Sequence, residues 1–395
     1  WEGKKMKKRV IKAVFVSAVA VMMFGCNKKG EEESTLPSIN LQEITSNMDK
    51  IDPTEETEKY VDEYKYTEGY EEVESIFNEE YSELAAYIEK HFIRFQGSVL
   101  VAINGEIVIA NGYGYADEFE ETLNTMNTTY ELGLTSLQFT ADAVFDMVDD
   151  GLLDLDTDIK KFFPEITTNK KITVEDLLYN CSGLPNYLND QDAFENGEEL
   201  RDIIRLAVEY GKEPQNNFLI DYLKNVELLF EPGEKFHRSN TNYYLLALII
   251  ERVSGLEFEE YIKDYVFGKC GMRMSNLAYQ GTSAIASYEH EAYLSYPVNL
   301  VRGVMSANSN VIEMYKWCKY LMNEVIVDEE AYLNIGKTGY GIMNGETQGF
   351  ISRCAIDPET KSAIIIFSNN IDEKMFMENS IDVLMLKLQS YMKSE

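Results

Sequence analysis

The chain has 395 residues, a formal net charge of −32 and 45% hydrophobic residues, including 26 Tyr and 19 Phe. This length suffices for one large domain or two ordinary ones, with a sizeable apolar core. The charge argues against nucleic acid as a partner, because the phosphates would be repelled, and against attachment of a basic patch to anionic lipid.

The first 25 residues depart from this charge pattern and resemble a signal peptide. Six Lys or Arg residues and one acidic residue precede an apolar stretch of 13 residues, whereas a bilayer span needs about 20. The Gly25-Cys26 pair at its end is similar to a bacterial lipoprotein cleavage site. We therefore expect a lipid on Cys26, anchorage at the outer face of the cell membrane and a natural start at Met6, with 1–5 as an upstream extension. An uncleaved signal anchor is the alternative.

An acidic tether is predicted over residues 26–70. Residues 27–70 hold 12 acidic residues against five lysines and show almost no apolar periodicity. Such a segment cannot bury enough surface to offset the entropy of ordering it. The folded domain is therefore predicted over 71–395, held away from a membrane by the tether.

The cysteines and histidines predict neither a metal site nor a cofactor. Beyond Cys26, the four cysteines are far apart and show no CxxC or Cys/His spacing. Disulfides are compatible with export, but the spacing leaves their pairing open. The histidines are also scattered, at His91, His237 and His290. Of these, only His237 lies next to a candidate site residue, and a structural role in a loop is its alternative.

The apolar periodicity predicts a mixed fold. In chain order it indicates a helix over 73–92, a hairpin over 97–117 turning at Asn104-Gly105, a helix beginning at Thr173, a buried helix over 240–255, a second hairpin over 349–370 and a C-terminal amphipathic helix. Both ends of the folded region would then contribute to one antiparallel sheet. The expected class is α/β (α+β), an antiparallel sheet flanked by helices with a helical insertion.

Six stretches, from Gln96 onwards, follow one another in the order of a known superfamily. They are "NGYGYAD", "QFTADAVFDMVDDGLLDLDTDIKKFFPE", "KITVEDLLYNCSGLPNYL", "FEPGEKFHRSNTNYYLLALIIERVSG", "GVMSANSNVIEMYKW" and "GFISRCAIDPETKSAIIIFSNN". Together they resemble the serine β-lactamase, D-alanyl-D-alanine carboxypeptidase and esterase superfamily, in its class C β-lactamase-like branch. The resemblance implies a β-lactamase/transpeptidase-like fold and serine-based acyl chemistry.

The first catalytic motif of that superfamily is altered. It is Ser-x-x-Lys, whose serine attacks a carbonyl and whose lysine takes the proton. Aligned on "QFTA", the serine falls on Leu134 and the lysine on Leu137. A shifted register would use Ser136 but places Phe139 at the lysine position. In the superfamily, this turn presents the nucleophile to the substrate. We expect the presentation turn of this chain to keep that shape but to lack the reacting side-chain atoms.

The other two motifs are also altered. Tyr-x-Asn aligns with Arg238-Ser239-Asn240, which retains the asparagine but replaces the phenol by a permanently charged guanidinium. Lys-Thr-Gly aligns with Met343-Asn344-Gly345. A literal "KTG" at Lys337–Gly339 is the alternative, although it requires an insertion before Gly349. Short matches of this kind arise easily by chance.

The resemblance also implies an oxyanion hole from the backbone N–H groups of Leu134 and Glu346, which survive side-chain changes. Such a site could bind a carbonyl or carboxylate without processing it, although the charge of Glu346 would weaken anion binding. The leucines either fill the cleft or line the floor of an open groove. The expected ligand-binding residues are Arg238, Asn240, Asn344, Gly345 and Glu346. For Arg238, an ion pair with a neighbouring acid is the alternative.

Three functions remain open from the sequence. The preferred hypothesis is a membrane-tethered, catalytically inactive lipoprotein that binds a peptidoglycan-like peptide, a related metabolite or a protein partner, and not nucleic acid. The second is an active serine hydrolase whose machinery has moved to Ser136, Ser239 or Lys337. The third is a structural surface lipoprotein whose exterior, rather than its cleft, engages a partner.

Overall fold

The fold is seen in a computed structural model, which describes residues 75–92, 95–278, 281–286, 295–325 and 341–370, with Val383, Leu384 and Lys387. The predicted signal peptide, the lipid site at Cys26 and the tether lie outside the described residues. So do the "KTG" at Lys337–Gly339, His290 and most of the predicted C-terminal helix.

Six strands form one antiparallel sheet in the order β1-β3-β2-β10-β9-β8. They are β1 (Ile76–Phe77), β2 (Gly97–Ile103), β3 (Glu106–Tyr113), β8 (Gly341–Glu346), β9 (Ile351–Asp357) and β10 (Ser362–Ser368). Two short pairs stand beside it, β4 (Tyr115–Asp117) with β5 (Thr122–Leu123), and β6 (Tyr130–Glu131) with β7 (Asn308–Ser309). The mixed antiparallel fold predicted from the sequence is therefore confirmed.

Both predicted hairpins are present. Asn104 and Gly105 have φ values of 52° and 84°, and Ile103 pairs with Glu106 across them. Positive φ at both central residues is typical of the type I′ turn, whose twist matches that of the strands. The second hairpin joins β9 to β10, and β10 then pairs with β2. The two hairpins thus meet at the centre of the sheet.

Ten α-helices lie within the described ranges. They are α1 (Ser82–His91), α2 (Leu137–Asp149), α3 (Val174–Leu178), α4 (Gly197–Tyr210), α5 (Leu219–Tyr222), α6 (Asn240–Ser254), α7 (Phe258–Tyr261), α8 (Gly268–Cys270), α9 (Val298–Val301) and α10 (Val311–Tyr320). A reciprocal capping box of Thr173 and Asp176 starts α3 where the sequence placed a helix start. Helix α6 is the predicted buried helix, ending at Gly255 in the left-handed conformation. No helix among the described residues combines the length and the apolarity that crossing a membrane requires.

The predicted helix over 73–92 is wrong in its first part. Ile76 and Phe77 form strand β1, paired with Ala110 and Ile109 of β3. The side chain of Asn78 then accepts a hydrogen bond from the Glu80 N–H, which starts a 3₁₀ turn at Glu79–Tyr81 before α1. The apolar spacing fits a helix, but the free edge of β3 offers backbone partners that a local pattern does not reveal.

The sheet is buried on both faces, which explains its nearly continuous apolar strands. Along β10, Ile364 and Ile366 join a smaller core with α1, whereas Ile365 and Phe367 join the larger core with α2, α6 and α10. Leu384 belongs to the smaller core. Between β6 and α2 the chain makes a 3₁₀ turn, Gly133–Ser136, which packs against β8 and β9. This turn positions the candidate site.

Candidate functional site

The 3₁₀ turn and the edge strand β8 meet through their backbones. Gly133 has a φ of +54°, and a Cβ there would lie 2.5 Å from the backbone N and O of Glu346. A Cβ at Gly345 would lie 1.9 Å from the Leu132 carbonyl oxygen. Because Gly133 and Gly345 have no side chains, the two backbone segments can approach each other this closely. The structure brings together the two backbone segments, at Leu134 and Glu346, that the resemblance assigns to an oxyanion hole.

Apolar side chains occupy the positions that the motif alignment assigns to the nucleophile and the bases. Leu137 is 5% exposed and Met343 is 3% exposed, both within the larger core, and Leu134 is partly buried against the same core. The filled-cleft alternative therefore describes Leu137 and Met343, whereas Leu134 keeps some contact with solvent. None of these side chains can move a proton.

The hydroxyl groups of the turn are held in structural hydrogen bonds. The buried Ser136 Oγ accepts from the Ala307 N–H at 3.1 Å, and within the described ranges no amine or imidazole bonds to it. The Thr135 and Ser352 hydroxyls lie 2.9 Å apart, and Ser352 also donates to the Leu132 carbonyl at 2.8 Å. The bonds of Ser352 fasten the turn to β9. Among the described residues, Ser136 has no activating base.

If Ser136 is taken as the nucleophile, the position of the base is apolar as well. Phe139, which that register would place at the lysine position, is 2% exposed. Its ring packs edge-on against Phe267 and Trp317, with centroid distances of 4.9 and 4.8 Å. Phe139 is therefore part of the aromatic core, and reading Ser136 as the nucleophile leaves its partner position apolar.

The loop before α6 fixes Ser239 rather than activating it. Ser239 is 1% exposed; its N–H donates to Asn180 Oδ1 and its hydroxyl to the Pro185 carbonyl, both at 3.1 Å. The Ser182 hydroxyl donates to Asn242 at 2.6 Å, so the "SGLP" turn is bonded to α6. Buried against its own loop, Ser239 offers no hydroxyl to a substrate.

Arg238 stands at the rim of this site. It is exposed, and its guanidinium makes no hydrogen bond or ion pair with the described residues. The ion pair considered as its alternative is thus not seen in this part of the chain. Partial burial of the guanidinium lowers the pKa of Arg238, and the nearby Glu346 carboxylate raises it. Asn240, the first residue of α6, is 8% exposed, and its amide has no hydrogen-bond partner in the described ranges.

Glu346 does not act as a lone negative charge. Its carboxylate forms an ion pair with Arg353 at 2.9 Å. Arg353, 2% exposed, also donates to the Gly345 carbonyl at 3.1 Å and the Ser352 carbonyl at 3.0 Å. This pair offsets part of the negative charge that was expected to weaken anion binding. The Arg238 guanidinium also lies near the Glu346 carboxylate.

Asn344 is separated from the other candidates by strand geometry. In β8, Met343 pairs with Cys354 of the larger core and Asn344 pairs with Arg353. Because side chains alternate along a strand, Asn344 lies on the sheet face opposite Met343. Its Oδ1 is buried without a hydrogen-bond partner in the described part of the chain. The prediction that Asn344 joins the ligand-binding set stays a prediction, whereas Gly345 contributes to the close approach by its missing side chain.

The remaining titratable groups take structural positions. His237 Nε2 lies 3.3 Å from Asp190 Oδ2, and this contact joins the loop before α6 to the loop after "SGLP". His91 ends α1, away from the 3₁₀ turn in sequence and on the other side of the sheet.

One acidic cluster was missed by sequence reasoning. The carboxylates of Glu251, Glu257 and Glu259 can bring ligand atoms within 4.8 Å of one another. Arg302, 5% exposed, reaches Glu251 at 2.7 Å and Glu259 at 3.5 Å. The guanidinium already supplies the positive charge that a metal ion would bring. The sequence did not predict the contact of these glutamates with Arg302, because Arg302 is distant from them in the chain and directly follows α9.

A small pocket beside β6 was also missed. Its cavity volume is about 10 Å³, room for about one water molecule. Glu131, Tyr296 and Ser306 line it together with other residues, and the Ser306 hydroxyl is buried without a hydrogen-bond partner in the described ranges. Burial raises the pKa of Tyr296, and a hydrogen bond from Gln348 lowers it. The pocket suits a bound water rather than a substrate.

An antiparallel sheet with a helical insertion, and a 3₁₀ turn leading into α2 against its edge strand, define a β-lactamase/transpeptidase-like fold. The comparisons agree: residues 85–379 match the family described as Beta-lactamase. The chain therefore belongs to the β-lactamase family, within the serine hydrolase superfamily.

The chain is similar in sequence to a protein named as a penicillin-binding protein and to a second named relative. It is 32% identical over 207 residues to "Penicillin-binding protein 4*" of Bacillus subtilis (strain 168), covering 52% of this chain and 42% of that protein. It is 31% identical over 173 residues to "Protein flp" of Staphylococcus aureus (strain N315), covering 42% of this chain and 31% of that protein. The matches span less than half of either relative. The structure of FmtA from Staphylococcus aureus has the same fold, with a TM-score of 0.59, 18% identity and coverage of 85% of this chain and 96% of that one.

Proposed function

We propose that this protein is a catalytically inactive member of its family that acts by binding. One observation supports the proposal: Leu134 and Leu137, to which the motif alignment assigns the positions of the family's nucleophile and base, have no reactive side-chain atoms. In a serine protease, removal of the nucleophile or the base alone lowers turnover on the order of a million-fold. A pair of leucines would therefore leave binding as the property of this site.

The ligand that suits the rim carries a carboxylate. Arg238 forms no direct salt bridge among the described residues, although the Glu346 carboxylate lies near it, and Arg353 pairs with Glu346. A guanidinium recognises a carboxylate through two parallel hydrogen bonds. In a chain with a net charge of −32, the exposed Arg238 guanidinium would favour a small anion or an exposed chain terminus. Relatives are named for penicillin binding, and penicillin carries a carboxylate. The ligand class is accordingly a peptidoglycan-like peptide, a related metabolite or a protein partner with such a group.

The proposed location is the outer face of the bacterial cell membrane. The basic start, the short apolar stretch and Cys26 support export and lipid attachment. The acidic stretch over 26–70 would then separate the folded domain from the membrane. This location puts a carboxylate-binding rim next to the cell wall, where peptides with free carboxylates are exposed.

Covalent probes test the loss of catalysis. The purified full chain, incubated with a labelled penicillin or a fluorophosphonate, is expected to show no covalent mass gain by intact mass spectrometry. The physical reason is that neither Ser136 nor Ser239 has an activating base in the described structure. A mass gain that disappears in Ser136→Ala, Ser239→Ala or Lys337→Ala would show that the protein is an active hydrolase and would remove the proposal.

A peptide pair tests the role of Arg238. Acetyl-Lys-D-Ala-D-Ala and its C-terminal carboxamide differ only in the charged group. Calorimetric titration should show binding of the acid, weakened about 10- to 100-fold by Arg238→Ala, because the variant loses charged hydrogen bonds. The amide should bind weakly to both forms.

Arg205→Ala, on the exposed face of α4, is the matched control and should leave the affinity unchanged. Equal affinity of the native protein for acid and amide would contradict carboxylate recognition. Absence of any binding of the acid would remove the cell-wall peptide from the ligand classes.

A further inference from the structure

The small pocket beside β6 lies against the β6–β7 pair, which leads into the 3₁₀ turn. Glu131 of β6 and Asn308 of β7 are cross-strand partners, and both line the pocket. Partners on neighbouring strands lie on the same face of the pair, so these two side chains form one wall. Ser306, two residues before Asn308, lines the pocket as well.

The lining of this pocket is acidic. Among the nine described residues that line it, there is one acid, Glu131, and no Lys, Arg or His. Glu131 is 7% exposed, and a carboxylate with so little contact with water favours a cation close to it. The net charge of −32 on the chain also raises the concentration of small cations around the protein. The electrostatics of the pocket therefore favour a positively charged occupant.

The polar groups beside Glu131 offer oxygen atoms. The Asn308 amide donates hydrogen bonds to Asn276 Oδ1 and to the Ala278 carbonyl, each at 3.0 Å. Because both amide hydrogens are used in this way, the amide oxygen is the atom that Asn308 has left to offer. Ser306 is 8% exposed, and its hydroxyl is buried without a hydrogen-bond partner in the described ranges. A buried hydroxyl normally has a partner, and a cation in the pocket would supply one.

We propose that this pocket binds one monovalent cation, K⁺ or NH₄⁺, through oxygen atoms of Glu131, Ser306 and Asn308. The cavity has room for about one water molecule, and both ions are close to water in size. Hard cations prefer oxygen ligands. One carboxylate balances a single positive charge, whereas Ca²⁺ takes about six to eight oxygens and Mg²⁺ keeps most of its own water molecules.

A cation in this pocket would support the position of the 3₁₀ turn. The Leu132 N–H donates to the Ala307 carbonyl at 2.9 Å, and the Ala307 N–H donates to Ser136 Oγ at 3.1 Å. Glu131 directly precedes Leu132, and Ser306 directly precedes Ala307. The cation would therefore link the same two backbone segments, one residue further along the pair.

Thermal unfolding in different chloride salts tests this inference. Full-length protein is transferred into choline chloride, whose cation is too large for the pocket, and compared with protein in KCl and in NH₄Cl at the same ionic strength, so that screening is equal. The Tm should be higher by roughly 2–4 °C in KCl or NH₄Cl, because a ligand that binds only the folded state stabilises it. The larger of the two shifts identifies the preferred ion. Equal Tm values in all three salts would overturn the inference.

Variants assign the response to this pocket. Glu131→Gln and Ser306→Ala should each lose the difference in Tm between KCl and choline chloride. Glu198→Gln, which removes an exposed acid in the first turn of α4, is the matched control and should keep it. A difference that persists in both pocket variants would place the cation elsewhere on the protein, and the inference would be wrong.

Thallium(I) provides a direct readout on the native protein, which decides the question even if a pocket variant does not fold. Thallium(I) takes the place of K⁺ and scatters X-rays strongly. Crystals of the native protein soaked in thallium(I) acetate should show an anomalous peak within bonding distance of Glu131 and Ser306. Electron density for water alone at this position would contradict the inference. Neither measurement involves a peptide, so failure of the cation site is distinguishable from failure of the proposed function.

Discussion

Leu137→Lys is expected to lower the free energy of unfolding by about 4–5 kcal/mol at pH 7, rather than to restore chemistry. Leu137 is 5% exposed within the larger core, and a buried lysine has its pKa lowered by about 3–5 units. Each unit corresponds to about 1.4 kcal/mol. The apolar neighbours of Leu137 in this core offer poor solvation to an ammonium group.

The sign of the pH dependence follows from the lowered pKa. Between the folded pKa and the unfolded value of about 10.4, the unfolded state binds more protons than the folded state, so stability rises with pH. The loss should be complete below the folded pKa and shrink towards pH 10. Urea unfolding of both forms at pH 7 and pH 9.5 measures this difference.

Leu137→Met is the matched control, since it conserves volume and polarity and should cost less than about 1.5 kcal/mol. If the lysine variant is as stable as the methionine variant at pH 7, its ammonium must reach water. The site would then be an open groove at Leu137, and the filled floor described above would be wrong.

Gly345→Ala is expected to be among the most damaging single-methyl additions in the domain. The new Cβ would meet the Leu132 carbonyl oxygen at 1.9 Å, the Ser352 Oγ at 2.7 Å and the Thr135 N at 2.9 Å. Backbone atoms cannot turn aside, so the 3₁₀ turn must separate from β8 and its hydrogen bonds to Ser352 must break. Overpacking costs about 1–3 kcal/mol in well-packed cores, and we expect a loss of about 3 kcal/mol or more.

Gly268→Ala provides the comparison. Gly268 begins the short helix α8, and the nearest atom to an added Cβ is the Lys263 carbonyl oxygen at 3.4 Å. In a helix, alanine is favoured over glycine by about 1 kcal/mol, so this variant should be neutral or slightly stabilised. Thermal unfolding of both variants measures the contrast. Equal Tm values for the two would show that the turn and β8 are not in backbone contact.

The sequence predicted elements whose signals are local. The Asn104-Gly105 turn needs positive φ at two adjacent residues, and Thr173 with Asp176 forms a capping box; both signals lie within a few residues. Strand β1 was not predicted, because the apolar spacing around Ile76 fits a helix. Its actual partner, β3, lies more than thirty positions later in the chain.

The candidate site was also predicted only in part from the sequence. Motif alignment placed Leu134 and Leu137 on the presentation turn, because the family motifs are contiguous in sequence. The pairing of Glu346 with Arg353 was not predicted, since it depends on the register between β8 and β9. The face of β8 on which Asn344 lies was not predicted either. Motif alignment names a residue, but the direction of its side chain is set by alternation along the strand.

The register of β2 against β10, from Ala102↔Ala363 to Gly97↔Ser368, has a consequence for biosynthesis. The middle of the sheet is built from the first and last long strands, which makes for a high contact order and slow folding. A nascent chain interrupted before Ser368 would leave the apolar edge of β2 without its neighbour and open to aggregation. The topology thus delays completion of the central sheet until β10 has been synthesised.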